Sequence, residues 1–258
     1  MADKKDERGQ QIFDRSRSAI SLLGRFNVRD REGNDITDKF TTKLKSLLIL
    51  LLLSCQKNEN GIKYQIINEE IWDDKDEKSA QNNRNVTMRK LRLLLEDVGD
   101  INISYDKGLF KINTGNVLFD YKEIMDRIKS IQDNDNVSSS QVNEILELLL
   151  MGPLLPATYY GWLDPYKGEY TDQALSMLNK LLRYEYGRND ELAYRIAETM
   201  SLHEPLSEEA LIIKCHILCA RKMIAVAQAT YNKFAKEYKH SLGEEYPLTF
   251  PEICKKEL

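Results

Sequence analysis

At 258 residues the chain is long enough for one large domain or two ordinary ones, each with a sizeable core. A net charge of −4 and a sequence pI near 5.6 argue against a histone-like protein that coats nucleic acid, because non-specific affinity grows with the number of phosphates neutralised. Four cysteines in no dense framework, an opening Met1-Ala-Asp-Lys-Lys5 without an apolar secretory stretch, and a longest greasy run of only Leu47 to Leu53 point to a reduced, cytoplasmic protein whose apolar runs fall far short of the ~20 residues that span a bilayer.

In chain order, residues 1–18 are mostly charged and polar, with Ile12 and Phe13 as the bulky exceptions, and are expected to form a flexible leader. The leucine-rich run from Leu44 to Leu53 predicts a buried helix, with Lys43, Lys45 and Lys57 on its margins facing solvent or a polyanion. Gly61-Ile-Lys-Tyr-Gln-Ile-Ile-Asn-Glu-Glu-Ile-Trp72 predicts a short strand running into an amphipathic helix, whose apolar set is Ile66, Ile67, Ile71 and Trp72. Glu69, Glu70, Asp73 and Asp74 flank that helix and read as its solvated face rather than as an acid/base pair.

The segment from Ser79 to Leu95 contains no acidic residue, yet holds Arg84, Arg89, Lys90 and Arg92. At about 100° per residue, Met88, Leu91, Leu94, Leu95 and Val98 share one arc, while Asn85, Val86, Arg89 and Arg92 point away from it. An acid-free helix with Arg and Asn outward suits the DNA major groove, where Arg pairs with guanine edges, Asn with adenine, and Lys or Arg with phosphates. The competing reading is a solvated basic face. Ile101-Asn-Ile-Ser-Tyr-Asp-Lys-Gly-Leu-Phe-Lys-Ile112 alternates apolar and polar residues around Asp106-Lys107-Gly108, the signature of a β-hairpin with glycine where positive φ is needed. Two helices, the second basic, followed by a hairpin spell a winged helix-turn-helix, in which Lys107 at the tip reaches phosphate or the minor groove.

Leu22-Leu-Gly-Arg-Phe-Asn-Val28, Gly33-Asn-Asp-Ile36, the leucine-rich helix, Glu70-Ile-Trp72, Asn85-Val-Thr-Met-Arg-Lys-Leu-Arg92 and the hairpin together resemble the OmpR-type winged helix. The version most similar is that of the SARP transcriptional activators, in which an N-terminal β-sheet precedes the three helices. The resemblance covers about residues 19–115, and its most specific run is Val86-x-Met88-x-x-Leu91-Arg92. It implies a recognition-helix role for Arg89, Lys90 and Arg92; Leu93, where the outer face would be polar, departs from the pattern. In several bacterial groups a similar cassette ends a membrane-anchored sensor, and the charged leader would suit such a junction.

A division after Gly115 leaves 21 Lys and Arg against 19 Asp and Glu before it, net +2, and 16 against 22 after it, net −6. Only the first part suits a polyanion. The second part, residues 116–258, reads as helical throughout. Asp120 to Ile131 and Gln141 to Met151 are amphipathic, with a polar loop from Gln132 to Ser140 whose serines can cap the next helix. Gly152-Pro-Leu-Leu-Pro156 breaks the pattern. Beyond it, residues 159–238 align with themselves at an offset of 34: Met177 with Leu211, Leu178 with Ile212, Tyr184 with Leu218, Ala193 with Ala227, Ala197 with Tyr231. That period belongs to tetratricopeptide-like helix pairs, with Ala193, Ala227 and Cys215 as small residues that let helices approach and Pro205 closing a unit.

Leu149-Leu-Met-Gly-Pro-Leu-Leu155 with Trp162, His203-Glu-Pro-Leu-Ser-Glu-Glu209, and Tyr231 to Pro247 with Tyr238 and Leu242-Gly-Glu-Glu-Tyr-Pro resemble the bacterial transcriptional activator domain that follows the winged helix in SARP regulators. That resemblance implies oligomerisation or contacts with other proteins and carries no catalytic residues. Cys215, His216 and Cys219 lie on an apolar helix without a fourth ligand or a returning loop, so buried thiols acting as small hydrophobes are the simpler reading than a metal site. No phosphate-binding glycine loop, nucleophile elbow or zinc-protease signature occurs, and no receiver domain is present.

The sequence therefore predicts an α+β winged helix-turn-helix with an N-terminal β-sheet and a hairpin wing over residues 19–115, followed by an all-α tetratricopeptide-like domain over 116–258. The expected function is sequence-specific binding of double-stranded DNA in transcriptional regulation. Arg84, Asn85, Arg89, Lys90, Arg92 and Lys107 are the candidate contacts, without an enzyme activity, cofactor, metal or small-molecule substrate. The helical part is expected to serve a homodimer, RNA polymerase or a sensor domain. The alternative is a protein-interaction scaffold, or the output module of a sensor, whose winged helix no longer binds DNA.

Overall fold

The computed structural model describes residues 18–132 and 137–256. Residues 1–17 of the expected leader, and positions 133–136 of the expected polar loop, lie outside the described residues. Contacts divide the chain into two compact units, one of residues 1–126 with 154–167 and the other of residues 127–153 with 168–258. This grouping differs from the division read after Gly115: residues 116–126 group with the first unit, as do residues 154–167.

The first unit opens on β1 (Ala19–Ser21) and β2 (Asn27–Arg29), paired antiparallel with Ile20 opposite Val28. A third strand, β6 (Leu118–Phe119), lies parallel on the other side of β1, with Ile20 opposite Phe119. Asp120 follows immediately and is fully buried. Its carboxylate accepts the Leu22 N–H at 2.9 Å and the Leu23 N–H at 3.0 Å. Burial pushes its pKa up to about 7, against the pull of these donors. The returning segment joins this edge too: Leu154 bridges Leu23, and the Leu155 N–H donates to the Leu22 carbonyl at 2.9 Å.

Between the strands stand three helices. α1 (Thr42–Lys57) is buried continuously from Ser46 to Ser54, as expected of a helix apolar on every side. Its flanking lysines are engaged: Lys43 donates to the Ile71 carbonyl, while Lys45 and Lys57 sit over the rings of Phe26 and Tyr166. β3 (Ile62–Lys63) leads into α2 (Tyr64–Ile71). Ile67, Ile71 and Trp72 are buried, but Ile66, expected among them, is 41% exposed, because one helical step carries it off the arc that Ile67 and Ile71 share. A five-residue turn then reaches α3 (Glu77–Val98), capped by the Asp76 side chain on the Ser79 N–H at 3.0 Å. β4 (Asn102–Asp106) and β5 (Leu109–Asn113) form the hairpin expected over 101–112, and β5 also pairs with β3 to give a sheet of order β3-β5-β4. Where the chain enters β3, a Cβ on Gly61 would lie 2.2 Å from the Phe110 carbonyl oxygen, and its φ is +93°, so close approach and conformation both require glycine.

The second unit is helical. It contains the C-terminal part of α4 (Asp120–Gln132), α5 (Ser139–Leu149), most of α6 (Asp164–Glu185), α7 (Asp190–His203), α8 (Glu208–Ala220), α9 (Ile224–Leu242) and the short α10 (Phe250–Ile253). Ser138 and Gln141 form a reciprocal capping box at the start of α5, so one of the loop serines caps the helix as its position suggested. Helix α8 packs against both α7 and α9. Ala193, Cys215 and Ala227 are fully buried at these approaches, and the Cys215 thiol faces the Ala227 carbonyl at 3.8 Å. The 34-residue register pairs buried Met177 with buried Leu211, Leu178 with Ile212 and Ala193 with Ala227, whereas Tyr184 is 43% exposed opposite buried Leu218. His203, the last residue of α7, is buried with its Nε2 2.9 Å from the Leu149 carbonyl and its ring against Tyr170. Burial lowers its pKa. No helix among the described residues is long and apolar enough to cross a membrane.

Candidate nucleic-acid interface

Helix α3 turns Ala80, Arg84, Met88, Leu91, Leu95 and Val98 inward. These positions recur at intervals of three and four, so one stripe of the helix is committed to the core. Gln81, Asn82, Asn83, Asn85, Val86, Arg89, Lys90, Arg92 and Leu93 are exposed.

The structure separates the six predicted contact residues into three groups. Asn85, Arg89, Lys90 and Lys107 are exposed, and their side chains make no hydrogen bond or ion pair with other described residues. Lys107 and Gly108 form the two-residue tip of the hairpin, with φ of +47° and +84°, the conformation in which both central residues of the turn adopt positive φ. A Cβ on Gly108 would meet only Tyr64 at 3.6 Å, an ordinary contact, so conformation alone selects glycine there.

Arg84 departs from its predicted role. It is only 4% exposed. Its guanidinium donates to Asn68 Oδ1 at 2.8 Å and lies over the rings of Tyr64 and Phe110, at 4.9 and 5.7 Å. Burial pulls its pKa below the usual value, although a guanidinium remains charged throughout the physiological range. The side chain therefore ties α2, α3 and β5 together and is withdrawn from any polyanion. Position 84 is one turn from Ala80 and one from Met88, so extending the apolar arc by a turn places it inward.

Arg92 is intermediate. It is exposed, but Nε and Nη2 both donate to the Ile103 carbonyl, at 3.3 and 2.9 Å. The contact braces the second half of α3 against β4 and leaves part of the guanidinium fork for another acceptor. Two lysines absent from the predicted set, Lys63 and Lys111, are exposed on β3 and β5 beside the hairpin tip. The alternation of β5, with Phe110 and Ile112 buried, was the available signal that Lys111 faces outward.

The face is not wholly polar. Val86 and Leu93 are 54% and 56% exposed among the basic residues, and Tyr105 on β4 is 53% exposed, its ring 4.6 Å from that of Phe110. No group of three or more His, Cys, Asp or Glu side chains among the described residues is arranged to hold a metal ion. In the second unit, His216 has both ring nitrogens engaged, by Tyr186 Oη and the Ile253 carbonyl, each at 3.1 Å.

No family model matches the chain, and no curated protein matches its sequence. Among solved structures it is similar to EmbR of Mycobacterium tuberculosis, determined in complex with a low-affinity phosphopeptide. That likeness has a TM-score of 0.59 at 13% identity and extends over 93% of this chain. The chain spans 64% of the length of the EmbR structure. At that identity the likeness is one of fold alone.

Proposed function

We propose that the chain is a sequence-specific DNA-binding transcriptional regulator of SARP type. In this reading α3 is the recognition helix and the β4–β5 hairpin is the wing. The observation that carries the proposal is the unpartnered set Asn85, Arg89 and Lys90 on the outer face of a helix whose inner face is fixed in a core. The fold shared with EmbR supports it. Arg89 and Asn85 carry the planar donor and acceptor groups that read base edges. Lys90 and Lys107 act as phosphate contacts, joined by Lys63 and Lys111, while Arg92 holds the hairpin to the helix. The helical unit serves protein–protein contacts, either pairing two copies so that two half-sites are read together or docking a polymerase subunit or sensor. No catalytic residue, cofactor or small-molecule substrate enters this reading.

The experiment is a mobility shift with random-sequence duplex DNA at two salt concentrations, followed by selection of a preferred site. Salt-sensitive binding that Arg89→Ala weakens at the selected site supports the assignment. Absence of binding by a folded protein at low salt overturns it.

A second reading, a scaffold whose winged helix meets protein, is favoured by one feature of the same face. Val86 and Leu93 present apolar surface among the cations, which suits a protein partner better than a phosphate backbone. Under this reading Val86→Ser and Leu93→Ser abolish capture of a protein partner, and Arg89→Ala leaves any DNA retention unchanged.

A further inference from the structure

The C-terminal segment after α9 folds back on the second unit. Tyr246 and Ile253 are buried in a cluster with Leu211, Ile212, Cys215 and Phe234. The ring of Tyr246 meets Phe234 edge-on at 5.0 Å. The segment ends in α10, closed at its start by a reciprocal pair of Thr249 and Glu252. Beyond this packing it has several polar attachments: the Tyr231 hydroxyl donates to the Leu248 carbonyl at 2.7 Å, His216 Nε2 donates to the Ile253 carbonyl at 3.1 Å, and exposed ion pairs join Lys239 to Glu245 and Lys256 to Glu208.

At the same place two thiols meet. Cys219, in the last turn of α8, and Cys254, at the C-terminal cap of α10, have their sulfurs 3.3 Å apart, and both side chains are partly solvent-accessible. The other two cysteines are differently placed. The Cys215 thiol is buried and faces a backbone carbonyl, and Cys55 belongs to the first unit, where its sulfur meets the Ile112 N–H at 3.4 Å.

We propose that Cys219 and Cys254 are a reversible oxidation site, whose disulfide fastens the C-terminal segment to the end of α8. The sulfurs need to close by about 1.2 Å to reach the ~2.05 Å of a disulfide, a movement the short terminal helix can supply. The oxidant is a peroxide. One thiolate sulfur attacks a peroxide oxygen, the O–O bond breaks, and a sulfenic acid and hydroxide result. The second sulfur then attacks the sulfenic sulfur, forming the S–S bond as the S–O bond breaks. The two thiol protons leave in the products, so two thiols and one hydrogen peroxide give one disulfide and two waters. Two electrons pass from sulfur to oxygen, and a dithiol reductant reverses the step. Burial and the neighbouring thiol push the Cys254 pKa up to about 11. Attack through Cys254 is therefore favoured in alkali, where its thiolate is formed.

The consequence is a change in the tethering of the aromatic cluster. With the thiols reduced, the segment is held only by non-covalent contacts: packing, hydrogen bonds from Tyr231 and His216, and exposed ion pairs. With the disulfide formed, it closes a covalent loop back to α8, which removes freedom chiefly from the unfolded chain.

The full chain, treated with hydrogen peroxide or with dithiothreitol, tests this. Peptide mapping of the peroxide-treated monomer is expected to find a Cys219–Cys254 crosslink, lost in Cys219→Ser and in Cys254→Ser and retained in Cys55→Ser. The oxidised form is expected to unfold roughly 5 °C or more above the reduced form, with slower amide exchange across 246–254. Dithiothreitol restores the original values. Crosslinked dimers, a pairing through Cys215, or oxidised thiols that never join while the unfolding temperature stays unchanged would each overturn the proposal. The outcome is independent of whether the first unit binds DNA.

Discussion

The two faces of α3 use the same residue type for opposite ends. On the inner face Arg84 lies between two aromatic rings with its guanidinium bonded to Asn68; on the outer face, five residues along, Arg89 is exposed without a partner. A buried cation must be stabilised by fixed neighbours, since water cannot reach it. An exposed one is left free for a ligand. The lesson is that the count of basic residues on a helix overstates its capacity for a polyanion, and the fraction left unpaired inside the protein is the useful quantity.

The largest expected effect lies on the inner side. Trp72→Ala, at the turn between α2 and α3, is expected to destabilise the first unit by about 3–5 kcal/mol, read from urea unfolding; a loss below 1 kcal/mol would show that the inner face is not where stability resides. Arg84→Met is next, at about 1–3 kcal/mol, because Asn68 loses its donor while the aliphatic stem is kept. This variant sharpens the comparison. Once folded at low temperature it should bind DNA with near-parental affinity, and selective loss of DNA binding would return Arg84 to the interface.

On the outer side the order of effects reverses. Arg89→Ala is expected to change stability by no more than ~0.5 kcal/mol and to weaken binding at a selected site by about 1–3 kcal/mol, as loss of a base contact does. Arg92→Ala divides between the faces: about 1 kcal/mol of stability goes with the Ile103 bond, together with a modest fall in affinity as the hairpin loosens. A pure binding defect would reassign it to base readout. The smallest effect is that of Lys107→Ala, which should lower affinity equally for all sequences and reduce the magnitude of the salt slope by about 1, measured by titration at several salt concentrations.

Much of this organisation is local and was legible. The apolar run in α1 announces burial on all sides, Lys107-Gly108 announces a tight hairpin, and the arc from Met88 to Val98 announces which side of α3 packs. What escaped depends on partners far away in sequence. β6 is two residues long, too short for any alternation, and it exists because Ala19 and Ile20 offer an open edge. The return of 154–167 to the first unit follows from a bridge between Leu23 and Leu154 that no periodicity could foretell; the Gly152 to Pro156 breaker marked a change of direction but not its destination. Arg84 was misplaced because a long aliphatic stem lets a charged residue occupy a core position, which hydrophobic patterning scores as polar. The Cys219–Cys254 meeting likewise required the fold-back of the last segment.

The parallel strand β6 also sets a timetable. Leu22 and its acceptor Asp120 are 98 positions apart, so the first strand cannot complete its pairing until the three helices and the hairpin have all been synthesised. At ~5–20 residues per second on the ribosome, the open side of β1 waits about 5–20 s for its neighbour. Closing so long a loop is entropically costly and is rewarded only at the end. The docking of residues 118–120 along β1 is thus expected to come late, followed by that of residues 154–167 beside Leu22 and Leu23, and nascent chains released before residue 120 would present that unpaired edge to one another.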